Sequence, residues 1–132
     1  MATASLNNDS EEIITSKDSI VIVDNFQSIR GGRTLDVTGF TPDIIKAGHV
    51  IIMETATKNY KPMPLNGGAT AYAALPADHV YAGILINSIP KKRPFAGILV
   101  RGTVNPAACP FPMATIQSAV KTALPLIDFR QD

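Results

Sequence analysis

Few residues in this chain are of a type that does chemistry. There are two histidines, His49 and His79, one cysteine, Cys109, and eleven carboxylates. A metal centre needs three or four such ligands brought together. His49, His79 and Asp78 could in principle supply three, but no H-x-x-H or C-x-x-C spacing supports the set. Each histidine follows a turn residue and precedes an apolar run, in Gly48-His49-Val50 and Asp78-His79-Val80. That is the setting of a surface histidine at a strand entry. A nucleophilic cysteine needs a base beside it and a lowered pKa. Cys109, in Ala107-Ala108-Cys109-Pro110, reads instead as a small, half-buried loop residue.

The glycine pairs Gly31-Gly32 and Gly67-Gly68 fit neither phosphate-loop pattern. Lys91-Lys92-Arg93 is the only basic cluster, and it reads as a solvated turn with too few aromatics nearby to stack single strands. The carboxylates of the body are scattered, without the paired pattern of general acid–base work. The expectation is no catalytic residue, no metal and no cofactor. A small enzymatic or ligand-binding barrel using His49, His79, Asp78 or Cys109 is the rival reading.

The elements that would position such residues are mostly strands. A chain of 132 residues fits one domain that buries roughly two-thirds of its unfolded surface. Charged residues are 17% of the chain, against about 25% in a typical domain. Mean hydropathy is +0.14, so part of the apolar excess is available for an interface. The net charge of +1 gathers neither nucleic acid nor anionic lipid. It is unevenly spread: residues 1–19 hold Asp9, Glu11, Glu12 and Asp18 against Lys17, a net of −3, which leaves +4 for the rest. One cysteine excludes an intrachain disulfide and fits assembly in a reducing cytoplasm. No apolar run has a membrane span's length of about 18 residues, and residues 1–19 lack a signal peptide's basic and apolar regions.

Residues 1–18 are small, polar and acidic, with Leu6, Ile13 and Ile14 their only large apolar side chains; they read as a flexible arm. Residues 19–132 read as one β domain. A β-branched run predicts a first strand over 19–23, and alternation predicts another over 34–38. Residues 44–49 read as a short turn leading into a hairpin with arms at 50–55 and 60–65, its second arm demoted to an edge by Pro62 and Pro64. Strands follow at 80–86 and 95–100, with Gly83 marking a bulge or a close backbone approach. Pro112 predicts a helix start. Ile116, Ala119, Val120, Ala123 and Leu124 form its apolar stripe, Pro125 stops it, and residues 126–129 close the chain as a strand. The fold class is therefore β-rich α+β, a compact barrel- or sandwich-like domain with one short C-terminal helix.

One stretch goes further. Leu99-Val100-Arg101-Gly102-Thr103-Val104-Asn105, followed by Leu124-Pro125-Leu126-Ile127-Asp128-Phe129, resembles the LVRG-x-VN and LP-x-I-x-F ending of phage head decoration proteins, the lambda-type capsid stabilisers. Ala82-Gly83-Ile84-Leu85 resembles that family's preceding strand. Residues 45–50 with Tyr60-Lys61-Pro62 resemble its hairpin. The likeness spans Tyr81 to Asp132, and more weakly reaches back to Gly32. It implies a non-enzymatic homotrimer assembled in the host cytoplasm. The trimer would sit on the outer surface of an expanded capsid, bound to the major capsid protein, without nucleic acid or membrane. It also implies that the arm, with Leu6, Ile13 and Ile14, orders on the shell. Another virion part, such as a fibre base or tail-associated β domain, is the alternative.

Overall fold

The computed structural model describes residues 13–131. Helix α1 (Asp18–Val21) leads into strand β1 (Ile22–Ser28), then β2 (Arg33–Thr34), β3 (Ile44–Ile45) and β4 (Val50–Glu54). Next come β5 (Tyr60–Pro62), β6 (His79–Leu85), β7 (Ile89–Pro90), β8 (Phe95–Ala96) and β9 (Ile98–Val104). A 3-10 turn (Pro106–Ala108), helix α2 (Gln117–Ala123) and β10 (Ile127–Phe129) end the chain.

The main sheet runs β1-β9-β6-β4-β5, with β10 added to β9. All pairs are antiparallel except β10 on β9. Strand β9 is its hub. One edge pairs along its length with β1. The opposite edge is divided: β6 takes Ile98 and Leu99, and β10 takes residues 102–104. Two short ribbons, β2–β8 and β3–β7, complete the pairing.

Apolar runs in β4, β6 and β9 are buried on both faces, so period-2 alternation sends successive side chains into different cores. Val50, Ile52, Ile84 and Leu99 pack with Val120 of α2, Met113 and Ile127. Ile51, Leu85 and Ile98 pack with Leu35, Phe40, Ile45 and Ala96. The second core lies under the two ribbons, which cover that face like the second layer of a sandwich. The domain is thus β-rich, with one seven-residue helix near its C-terminus.

Three local expectations are corrected. Residues 19–23 do not begin as strand: Ile20 and Val21 N–H both bond Lys17 O, and β1 starts at Ile22. A tertiary contact outweighs β propensity there, because Val21 is buried in the main core and its carbonyl accepts from Asn105 N–H at 2.8 Å. Within 34–38 only Thr34 is strand. The Asp36 carboxylate accepts from Thr38 N–H and Oγ1, an Asx turn that diverts the chain. Helix α2 starts at Gln117, five residues after Pro112, and of the expected stripe only Val120 is fully covered while Ala119 and Ala123 are exposed. The remaining strands lie close to where the pattern placed them, and residues 44–45 add an unexpected pairing with β7.

Candidate functional site

The four chemistry-bearing residues are not gathered in one place. His49 precedes β4, where its carbonyl accepts from Leu85 N–H; His79 opens β6, opposite Glu54. Six residues of β6 separate those two levels, about 20 Å at strand rise. Asp78 holds a turn at φ 60°, its carbonyl taking both Thr55 N–H and Oγ1–H. Cys109 is half-buried, its thiol directed at Asn105 O, and burial pushes its pKa up to about 12. It is therefore a thiol at neutral pH, a poor nucleophile. Among the described residues no three of His, Cys, Asp and Glu are grouped to hold a metal.

His79 is tied locally. Its Nδ1 lies 2.7 Å from Ala77 O, so Nδ1 carries the proton and Nε2 accepts from Lys61 Nζ at 3.3 Å. Lys61 is also 3.8 Å from Glu54. In the basic cluster, Lys91 is a structural tie: its ammonium donates to Phe40 O and Thr41 O. Burial of the aliphatic stem with the head on carbonyls is how a lysine serves a loop.

His49 departs from the surface position expected of it. The ring is completely buried, and burial pushes its pKa down to about 4, while its bond to the Met63 carbonyl works the other way. Phe40, Tyr72 and Phe111 surround it. The sequence offers no short-range sign of this cage, because its rings come from three separate loops.

The arm can be followed from Ile13. Leu6 lies outside the described residues. Ile13 is half-buried and Ile14 is 64% exposed. Ile14 O accepts from Lys46 Nζ at 3.3 Å. Asp18, at the far end of the arm, is bonded into the body: Ser88 N–H reaches Oδ2 at 2.9 Å and Ser88 Oγ–H reaches Oδ1 at 2.7 Å. Ser88 Oγ in turn accepts from Ala47 N–H at 3.0 Å. The Asp18–Ser88 tie is one that sequence reasoning missed, since 70 residues separate the two. A cleft of about 350 Å³ opens at this junction, lined in part by Ile14, Lys17, Lys46 and Cys109.

The chain on either side of the junction carries exposed apolar side chains. Of the large apolar side chains exposed among the described residues, Ile14, Ile20 and Phe26 fall within residues 14–26. Phe26 is the barest at 70%, on β1, whose outer edge has no strand partner among the described residues. Its pairing to β9 is interrupted by three register shifts. Such bulges are a means of discouraging casual edge-to-edge association.

Asp18→Ala is expected to lower stability by about 2 kcal/mol, because it removes the acceptor of two charge-assisted bonds and leaves Ser88 N–H unpaired. Urea midpoints of the wild type, Asp18→Ala and Asp18→Asn check this, with the asparagine variant falling between the other two.

Geometry and composition define the class so far: a β-rich domain with a tethered arm junction and an open edge strand. Compared with protein-family models, with curated proteins and with solved structures, the chain matches none. No helix among the described residues is long and apolar enough to cross a membrane.

Proposed function

We propose that this chain is a capsid decoration protein that binds the outside of an expanded phage head as a trimer and stabilises the shell. The observation that carries the reading is the resemblance of residues 99–105 and 124–129 to the family's ending. In this fold those residues are one unit: β9, the Asn105 turn, the end of α2, and β10 laid back on β9. Asn105 Oδ1 accepts from Ala107 N–H, with Pro106 opening the 3-10 turn, so the asparagine has a stated structural task.

The arm junction supports the same reading. The Asp18–Ser88 tie fixes where the arm leaves the body, and the sequence on either side of Asp18 carries exposed Ile14 and Ile20. Binding only the expanded shell stabilises it by mass action. Three arms on one trimer raise the effective concentration of each contact. An extended arm adds main-chain hydrogen bonds without strict sequence demands. No step of this task requires an activated nucleophile or a metal.

The test is co-sedimentation of the purified protein with expanded heads of the phage that encodes it, and with its unexpanded proheads. Saturable binding to expanded heads alone, with a solution mass three times 14.1 kDa, is the expected result. Deleting residues 2–14, which spares Asp18, is expected to leave the far-ultraviolet spectrum intact and weaken head binding at least tenfold. Full binding by the deleted protein removes Leu6, Ile13 and Ile14 from the interface. No binding by the intact chain removes the decoration reading itself.

A further inference from the structure

We propose that His49 is a proton-operated latch, a buried ring on which three loops are fastened to the sheet and from which acid releases them. Phe40 comes from the loop before β3, Tyr72 from the long connection between β5 and β6, and Phe111 from the segment before α2. Their ring centroids lie 5.3, 5.2 and 5.6 Å from that of His49, at interplanar angles of 82°, 76° and 89°. Tyr72 and Phe111 also meet each other at 5.4 Å. Edge-to-face contacts of this kind stabilise beyond the area they bury.

The ring's two nitrogens have opposite fates. Nε2 is 2.9 Å from Met63 O, an acceptor only, so Nε2 carries the proton. Nδ1 is fully buried and has no hydrogen-bond partner among the described residues. As a bare lone pair it is a tolerable loss. As an N–H of an imidazolium it is a buried cation's donor with nothing to receive it, and such a group is expelled or forces the cage open.

Among the described residues no neighbouring charge offsets this. Around the ring, the Tyr72 hydroxyl oxygen accepts from Val50 N–H and the Cys109 thiol is directed at Asn105 O. On the Phe40 side, Lys91 is tied to carbonyls, the Asp36 carboxylate is turned onto Thr38, and Asp43 is exposed. On the hairpin and its approach, Lys61 lies by Glu54 and His79, and Lys46 donates to Ile14 O. Only desolvation and the Met63 bond act on His49 itself. Protonation is thus resisted by the closed cage and not by a nearby cation, so opening the cage restores it.

The release is local because the fastened segments stand outside the main sheet. Residues 66–78 contribute no strand to the main sheet: Asn66 bonds Thr70 and Ala71, Leu65 and Tyr72 form an isolated bridge, Ala73 N–H reaches Pro64 O, and the sheet is met at the two ends, where Thr55 donates to Asp78 O and Val50 N–H donates to the Tyr72 hydroxyl. Strand β9, by contrast, is paired on both edges.

Hydrogen exchange of the full chain, corrected for intrinsic rates and read by mass spectrometry from pH 7 to pH 3.5, tests this. Peptides covering 66–78 and 109–116 are expected to lose protection at least tenfold between pH 6 and pH 4 while residues 98–104 keep theirs. His49→Gln, which retains a donor toward Met63 O without a titrating ring, is expected to abolish the step. Simultaneous loss of protection in loops and β9, or an unchanged step in His49→Gln, overturns the latch. Should that variant not fold, the His49 Cε1 proton shift in the wild type decides: its midpoint must lie well below 6.5 and coincide with the loop step, and a midpoint near 6.5 or a separate one overturns the proposal.

Discussion

Gly83→Ala is expected to destabilise the domain by about 4 kcal/mol or more, a large part of the roughly 5–15 kcal/mol that holds a domain folded. The methyl group would stand 2.5 Å from Leu99 O and closer still to the Ile98 side chain. The first neighbour is backbone and cannot swing aside. Gly83 has no left-handed φ, so the whole effect is steric. Its position makes the clash expensive. Strand β6 joins β9 only through Ile84–Leu99 and Leu85–Ile98. Ile84 and Leu99 belong to one core, Leu85 and Ile98 to the other. A wedge at Gly83 therefore separates β5-β4-β6 from β9-β1-β10 and opens both cores together. Gly67→Ala is the matched control. A Cβ there meets nothing within 4 Å, and its φ is not left-handed. That variant is expected to be neutral, or up to about 1 kcal/mol more stable through a stiffer unfolded chain. Urea unfolding and the folded fraction on a sizing column check both. A Gly83→Ala protein within 1 kcal/mol of wild type would mean that β6 and β9 approach less closely than this geometry requires.

That same glycine shows what was legible in the sequence. Gly83 interrupts an apolar run, and a gap in such a run signals a bulge or a close approach. Both occur: the β4–β6 register shifts between Ile51 and Ile52, and β9 fills the space a side chain would take. The runs of β4, β6 and β9 were readable because burial on both faces demands unbroken apolar sequence.

What stayed hidden depends on partners distant in the chain. Arg33 pairs with Ala96 and Ile44 with Pro90, in ribbons of two residues too short to leave a period. Residues 19–23 carry strand propensity, yet Val21 is claimed by the core and Asp18 by Ser88. His49 has the flanks of a surface residue. Its burial is set by Phe40, Tyr72 and Phe111, none within eight positions of it. The candidate arm was legible as composition only; its fastening point at Asp18 was not.

The two ends of the chain are expected to differ sharply in what their removal does. Ending the chain at Pro125 is expected to cost about 5 kcal/mol and to leave an aggregating, largely unfolded product. Strand β10 is three residues long but occupies the edge of β9 that β6 has vacated. Ile127 is fully buried in the main core, with Phe129 packed against it. Burying two such side chains contributes about 2 kcal/mol each. Arg130 N–H also reaches Val104 O, and Gly102 N–H reaches Leu126 O, each bond adding roughly 1 kcal/mol net. Helix α2 loses a tie as well, since Lys121 Nζ keeps its bond to Pro125 O but not the shorter one to Ile127 O. The bared stretch of β9 is then an unprotected apolar edge, the template for aggregation. Leu126→Ser is the control within the segment. Its side chain is 63% exposed, so the backbone bond survives and stability should change by less than about 0.5 kcal/mol. Deleting residues 2–14 leaves every one of these contacts in place. Under the proposed decoration role both truncated proteins would bind heads poorly, and circular dichroism separates the causes: the shortened C-terminus by a lost fold, the shortened N-terminus with its fold intact. A folded, soluble protein ending at Pro125 would show that β1 and β6 alone sustain β9, and β10 would lose the structural role assigned to it.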